Sequence, residues 1–123
     1  MKPRFSGVSF VVYPVRDMAR ARLFYDSVLG LKETANWEDK WIEFDVGSAT
    51  LAITSFMDGV VPAHAAAVAL ETDDLDKVAA HLKQQGVKFL MEPADTGVCH
   101  FARFEDSEGN QLILHEKHGK PSV

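Results

Sequence analysis

The chain has a single cysteine, no long apolar run and no excess of basic residues. Cys99 has no second cysteine with which to form an internal disulfide, so we expect a reducing compartment, the cytoplasm. No stretch approaches the roughly 20 apolar residues that cross a bilayer. The apolar residues 8–15 are too few for a signal peptide and lead directly into a charged segment, so they are interpreted as a strand. We therefore expect a cytoplasmic protein with no membrane partner.

The charge balance argues against nucleic acid as a partner. Thirteen Lys and Arg residues against eighteen Asp and Glu residues give a net charge of −5, which offers no positive field to a phosphate backbone. Hydrophobic residues make up 46% and charged residues 25% of the chain, which is typical of a folded globular protein. A length of 123 residues is enough for one domain to bury a core without disulfides or structural metals.

The first half of the chain predicts a strand, a helix and three further strands. Asp17 can cap the helix, and Gly30 follows its last turn, where a left-handed cap favours glycine. Between them, apolar residues recur at the helical spacing i, i+3, i+4 and i+7: Ala21, Phe24, Tyr25 and Val28. The predicted strands are residues 7–13, 31–36, 41–46 and 49–55.

The second half repeats this order. Thr72 or Asp73 is the predicted cap of a second helix, whose apolar stripe is Leu75, Val78, Ala79 and Leu82, and Gly86 ends it. The predicted strands are residues 65–71, 87–91, 99–105 and 111–116. Gly30 and Gly86 are separated by the same interval as Asp17 and Asp73, which indicates an internal duplication. We predict one α+β domain over residues 1–123, with modules at about 5–56 and 64–117 and a tail at 118–123.

Motifs at both ends of this pattern resemble the vicinal oxygen chelate superfamily, which includes glyoxalase I, bleomycin-resistance proteins and extradiol dioxygenases. The first motif runs from Tyr13 through Asp17 to Gly30. The second, residues 104–110, resembles F-x-D-P-x-G-N, with Ser107 where proline is usual. The resemblance implies two βαβββ modules whose strands curve into a half-barrel-like cup with the helices outside. It also implies a homodimer.

Metal enzymes of that superfamily hold a divalent cation with side chains from the first and fourth strands of each module. The matching positions in this sequence are Phe10, Ala52, Ala67 and Ile113. None of these side chains has a lone pair that coordinates a metal, so we expect no metal ion and no cofactor. The resemblance then implies a mainly hydrophobic cup that binds a small apolar or aromatic molecule.

Strand alternation adds further candidate ligand contacts. Thr50 and Thr54 flank Ala52 on the same side of their strand, and His115 lies on the same side as Ile113. Trp41 belongs to an aromatic group that can hold a planar ligand by stacking. The complete predicted ligand-binding set is Phe10, Trp41, Thr50, Ala52, Thr54, Ala67, Ile113 and His115. Packing in the core or exposure to solvent is an alternative explanation for each of these residues. No catalytic residue is predicted.

Three functions remain open from the sequence. The first is a metal-independent binding protein. The second is a metal-dependent lyase or dioxygenase with relocated ligands, such as His115 with His64 or His100. The third is a dimerising domain without a ligand. The sequence does not assign His64, His100 or Arg103 to a face of the sheet.

Overall fold

A computed structural model of the protein describes residues 4, 8–56, 67–97 and 99–117. The chain divides into two compact units, Met1–Asp58 and Gly59–Val123, with the boundary in the predicted linker. The first unit contains β1 (Val11–Pro14), α1 (Met18–Leu23), a π-helical turn (Phe24–Val28), β2 (Lys32–Trp37), β3 (Trp41–Val46) and β4 (Ala49–Thr54). The second contains β5 (Val68–Glu71), α2 (Leu75–Gln84), β6 (Phe89–Asp95), β7 (Cys99–Glu105) and β8 (Gln111–Lys117). Each unit therefore has the predicted βαβββ order.

Each unit forms its own four-stranded mixed sheet. The strand orders are β1-β4-β3-β2 and β5-β8-β7-β6. In both sheets the first strand runs parallel to the fourth, and the remaining pairs are antiparallel. The two sheets with their two helices confirm the predicted α+β class. Among the described residues, no helix has the length and apolar content that crossing a membrane requires.

The first helix begins as predicted and ends with a change of helical type. An Asp17 carboxylate oxygen accepts a hydrogen bond from the Arg20 N–H at 3.0 Å. The chain then widens into the π-helical turn, in which the Leu29 N–H donates to the Phe24 carbonyl at 2.9 Å. Gly30 follows with φ of 72°, the left-handed conformation expected after a helix. The predicted helix is thus present as two helical segments.

The second helix is capped by Asp74, and the prediction of Thr72 or Asp73 is wrong. The Asp74 side chain accepts from the Lys77 N–H at 3.2 Å, and the helix begins at Leu75. The Thr72 hydroxyl instead accepts from the Asp74 N–H at 3.2 Å. A capping side chain must accept a hydrogen bond from an N–H of the first helical turn. The residue at which the helix begins therefore determines which side chain is the cap.

Several strand ends differ from the prediction. Among the described residues, β1 pairs with β4 alone and β5 pairs with β8 alone. The register with that single partner therefore sets the length of each of these short strands. Residue 7 and residues 65 and 66 lie outside the described part of the chain. Strand β6 continues to Asp95 rather than ending near residue 91, with two shifts in its pairing to β7. Pro93 is tolerated there because β6 is an edge strand.

Each sheet has one face against its helix and an opposite face, which we call the helix-distal face. In the first unit the buried Tyr25 stacks on Tyr13 and contacts Phe44, which places those two strand residues against the helical segment. Strand alternation then places these residues on the helix-distal face: Val12, Trp41, Glu43, Thr50, Ala52 and Thr54. In the second unit the corresponding residues are Ala69, Glu71, Phe101, Arg103, Ile113 and His115.

The loop between β7 and β8 is organised by one buried carboxylate. Asp106 accepts hydrogen bonds from the N–H groups of Glu108 at 2.7 Å and Asn110 at 2.8 Å. The second oxygen of Asp106 accepts from the Asn110 side chain at 2.9 Å. The Ser107 hydroxyl is buried and has no hydrogen-bond partner among the described residues. The D-x-x-G-N pattern is therefore explained by this network, and the serine makes no contribution to it through its hydroxyl.

Candidate functional site

An aromatic pair lies on the helix-distal side of the first sheet. The rings of Phe10 and Trp41 meet edge to face, with centroids 5.4 Å apart and planes at 90°. Phe10 retains 44% of its surface exposed to solvent. The indole N–H of Trp41 donates to the Glu43 carboxylate at 2.9 Å, which fixes the orientation of the indole. The result is an apolar surface with one carboxylate beside it.

The three predicted ligand contacts on β4 differ in how deeply they are buried. Ala52 lies between Val12 and Glu43 in the register and is fully buried, and Thr50 is half-buried opposite Asp45. Thr54 is also fully buried. All three β4 residues share the helix-distal face with the aromatic pair, and Thr54 lies directly opposite Trp41 in the register.

The Thr54 hydroxyl has a structural role at the end of β4. It donates to the Lys40 carbonyl at 2.8 Å and accepts from the Phe56 N–H at 3.0 Å. Both its donor and an acceptor position are thus engaged within the first unit. Thr54 therefore connects the end of β4 to the neighbouring backbone. These hydrogen bonds explain a buried threonine at this position without a ligand contact.

The helix-distal face of the second sheet has an apolar centre flanked by polar groups. Ile113 is half-buried, with Ala69 on one neighbouring strand and Arg103 on the other. The Arg103 guanidinium lies on the helix-distal face and donates to the Gln111 side chain at 3.1 Å. Ala67 is exposed and directly precedes β5.

His115 is paired with a glutamate that the sequence analysis did not identify. Its Nδ1 lies 2.7 Å from Oε1 of Glu71, and the other Glu71 oxygen accepts from the Lys117 N–H at 3.0 Å. The hydrogen bond with His115 is the main reason why the pKa of Glu71 is lowered from its ordinary value. The signal in the sequence was strand alternation, because Glu71 shares its side of β5 with Ala67 and Ala69.

His100 lies on the other face of its sheet. Its Nε2 is 3.2 Å from an Asp95 oxygen and its Nδ1 is 4.0 Å from an oxygen of Glu116. A Glu116 oxygen also accepts from the Leu75 N–H at 2.7 Å, at the start of α2. Because His100 faces the helix and His115 faces away from it, these two side chains do not converge on one ion. His64 lies outside the described residues.

The residues at the superfamily's metal-binding positions do not fit a metal ion. Phe10 and Ala67 directly precede β1 and β5, and Ala52 and Ile113 lie in β4 and β8. Hydrocarbon side chains supply no ligand atom at any of the four positions. Within residues 4, 8–56, 67–97 and 99–117, no group of three or more His, Cys, Asp or Glu side chains is arranged to hold a metal.

A cleft of about 420 Å³ lies elsewhere in the first unit, on the helix side of its sheet. It is lined by Met18, Ala19, Arg22, Leu23, Asp26, Asp39 and Ile42. Arg22 makes a two-pronged contact with Glu33 at 2.7 and 2.9 Å, and this hydrogen bonding raises the pKa of Arg22 from its ordinary value. This cleft contains none of the predicted ligand-binding residues.

Comparison with known proteins identifies similar sequences and structures. Residues 7–114 match the sequence profile of the Glyoxalase/Bleomycin resistance protein/Dioxygenase superfamily. The structure is similar to TnmS3, an antibiotic binding protein from Streptomyces sp. CB03234, with a TM-score of 0.83 and 25% identity, covering 94% of this chain and 99% of that chain. No curated protein matches the sequence.

Two further solved structures show the same fold at lower identity. A superfamily member from Sphaerobacter thermophilus DSM 20745 has a TM-score of 0.79 and 23% identity, covering 92% of this chain and 98% of that chain. Lactoylglutathione lyase from Agrobacterium tumefaciens has a TM-score of 0.73 and 18% identity, covering 94% of this chain and 96% of that chain.

Proposed function

The chain belongs to the Glyoxalase/Bleomycin resistance protein/Dioxygenase superfamily, and within it we propose that this member binds a small apolar or aromatic molecule without a metal ion. The observation that carries the proposal is the set of side chains at the four metal-binding positions, Phe10, Ala52, Ala67 and Ile113. At these positions the metal enzymes have side chains with lone pairs, whereas this chain has hydrocarbon side chains. Such side chains offer no ligand atom to a metal ion but pack well against organic molecules.

The aromatic pair supports an aromatic ligand. Phe10 and Trp41 are already oriented against each other, and Glu43 holds the indole, so little side-chain freedom is lost when a planar molecule packs against them. Ala52, opposite Glu43 on β4, adds a methyl group to the same face. In the second unit, Ile113 and His115 are the contacts that we propose.

The solved structures support binding rather than a particular reaction. TnmS3 is described as an antibiotic binding protein, and it is 25% identical to this chain over nearly the full length of both. The lyase from Agrobacterium tumefaciens, at 18% identity, shows a shared fold and no more. We therefore propose that this chain sequesters a ligand.

We also propose that the protein is a homodimer in the cytoplasm. The support is that three large apolar side chains of the first unit are exposed to solvent: Val8 by 81%, Trp37 by 55% and Phe56 by 56%. Most soluble oligomers are symmetric, and a twofold dimer is the commonest form. Light scattering coupled to gel filtration tests this directly, because a mass equal to one chain would contradict it.

The first experiment measures metal content. The purified protein is reloaded with nickel, zinc, manganese and iron, dialysed and analysed for elements. We expect less than about a tenth of an equivalent of each metal, because the four positions contain no donor atoms. A stoichiometric ion would contradict metal independence, and it would direct attention to lyase and dioxygenase assays.

The second experiment measures ligand binding through tryptophan fluorescence. The Trp37→Phe variant leaves Trp41 as the reporter, and a panel of planar aromatic molecules is titrated against it. Replacing Phe10 by alanine is expected to weaken binding about tenfold, because it removes one wall of the aromatic pair.

Leu23→Ala is the matched control for the Phe10 substitution. Leu23 is also an exposed apolar residue of the first unit, at 63%, but it lies on α1 rather than on the helix-distal face. It should leave affinity within about twofold. Equal losses in the two variants, or no quenching by any member of the panel, would contradict the proposed binding surface.

A further inference from the structure

The contact between His115 and Glu71 determines which nitrogen of the imidazole carries the proton. An ionised carboxylate has oxygens that only accept hydrogen bonds. Nδ1 of His115 lies 2.7 Å from the Glu71 carboxylate, so Nδ1 is the protonated nitrogen. In the neutral ring, Nε2 then has a lone pair that can accept a hydrogen bond.

Glu71 is held in the orientation that this role requires. One of its oxygens contacts His115, and the other accepts from the Lys117 N–H at 3.0 Å. The pKa of Glu71 is lowered, first by the hydrogen bond with His115, and the Lys117 N–H acts in the same direction. The carboxylate is therefore ionised near neutral pH and is anchored to the backbone of β8 at the strand end.

Apart from the Glu71 carboxylate, the described neighbours of His115 on the helix-distal face are apolar or cationic. Phe101 is directly opposite His115 on β7, and Ile113 precedes it by two residues on the same side of β8. Arg103 is the diagonal neighbour on β7, which places its Cβ roughly 7–8 Å from that of His115. His115 keeps 30% of its side chain exposed, so a ligand can reach it.

We propose that His115 accepts the proton of an acidic hydroxyl group on an aromatic ring, so that the ligand class of this site is the phenols. In this step the O–H bond breaks, its proton moves to Nε2 and its electron pair stays on the ligand oxygen. The products are a phenolate and an imidazolium that lies between that oxygen and the Glu71 carboxylate. Glu71 is a positioning residue, since it acts through His115. The inference rests on the proposed binding function and adds the polar group that the ligand carries.

The test compares two coumarins that differ only at the hydroxyl group. 7-Hydroxycoumarin and its 7-methoxy ether have the same planar ring system, but only the first has a proton to give. Affinities are measured by fluorescence titration at neutral pH. We expect the hydroxyl form to bind about tenfold more tightly, as a charge-assisted hydrogen bond provides. We also expect the bound hydroxycoumarin to show more of the phenolate absorption band than the free compound does at the same pH.

Three variants locate the effect. His115→Phe keeps a planar ring without a nitrogen, so the two coumarins should bind equally while the methoxy affinity changes less than about twofold. That retained affinity also shows that the variant is folded. In the Glu71→Gln variant, the amide presents an N–H donor as well as an oxygen to Nδ1, so it no longer fixes which imidazole nitrogen carries the proton. Most of the preference for the hydroxyl compound, and most of the phenolate band, should therefore be lost. His81→Phe, on the exposed side of α2, is the control and should match the unmodified protein.

The outcomes separate this inference from the proposed function. Equal binding of both coumarins to the unmodified protein overturns the role of His115 and leaves ligand binding standing. A hydroxyl preference that survives His115→Phe, or one that is unaffected by Glu71→Gln, overturns it too. If neither coumarin binds, the proposed binding of planar aromatic molecules fails, and the phenol assignment fails with it.

Discussion

Replacing Ser107 by proline should stabilise the protein. Ser107 occupies the second position of the turn in which the Gly109 N–H faces the Asp106 carbonyl at 3.4 Å, a position that suits proline in common β-turns. Its hydroxyl is buried without a hydrogen-bond partner among the described residues. The substitution therefore removes an unpaired polar atom and restricts the unfolded chain.

The magnitude follows from these two contributions. An unpaired buried hydroxyl costs about 1–3 kcal/mol, and a proline compatible with the native backbone contributes about 0.4–1 kcal/mol through the unfolded state. Because Ser107 as a residue is only half-buried, we take the lower part of this range, about 1–2 kcal/mol in the free energy of unfolding. For a chain of this length that corresponds to a rise in Tm of roughly 4–8 °C.

The assay is thermal and urea denaturation followed by circular dichroism, with Ser107→Ala as the matched variant. Alanine removes the hydroxyl without restricting the backbone, so it should give the larger part of the gain and the proline variant should exceed it. If Ser107→Pro folds but its Tm is unchanged or lower, then Ser107 either has a partner or a backbone conformation that proline cannot adopt, and the reasoning is refuted.

Three further predictions concern stability. Gly30→Ala should lower the free energy of unfolding by about 1–2 kcal/mol, because an L-residue is strained at φ of 72°; an unchanged urea midpoint would contradict this. Glu116→Ala should cost about 1 kcal/mol in the same assay, because the Leu75 N–H loses its acceptor, whereas wild-type stability would mean that water replaces it. The pKa of Glu71 is lowered in the folded state, so its stabilising contribution is complete above its unfolded value of about 4.3 and is lost as the pH falls through the folded value. Glu71→Gln should therefore be less stable than the unmodified protein near pH 7 and should approach it near pH 2, and a gap that persists in acid would refute the assignment.

Features that depend on neighbours in sequence were predictable. Asp17 marks the start of the first helical region and Gly30 marks its end. Both were predictable because a capping side chain and a left-handed residue affect only the adjacent helical turn. The equivalent cap of α2 was placed one or two residues too early, because Thr72, Asp73 and Asp74 are all suitable residue types. Only the position of the first helical turn distinguishes them.

The polar groups of the candidate site were harder to predict because they meet through pairing between distant strands. His115 and Glu71 are 44 residues apart, and the parallel register of β5 with β8 brings them together. Glu43 is only two residues from Trp41, and alternation alone indicates that they share a side of β3. The ligand-binding role of all these residues stays a prediction until binding is measured.

The parallel pairing of β1 with β4, and of β5 with β8, has a consequence for the order of folding. Strands β2, β3 and β4 form a meander of local antiparallel pairs, but β1 has no partner until β4 has been synthesised. Closing that longer loop carries an entropic cost that the neighbouring pairs do not share. All strands of the first sheet are therefore available once residue 54 has emerged from the ribosome, before the later strands of the second sheet can pair. We therefore expect the first sheet to form before the second during synthesis.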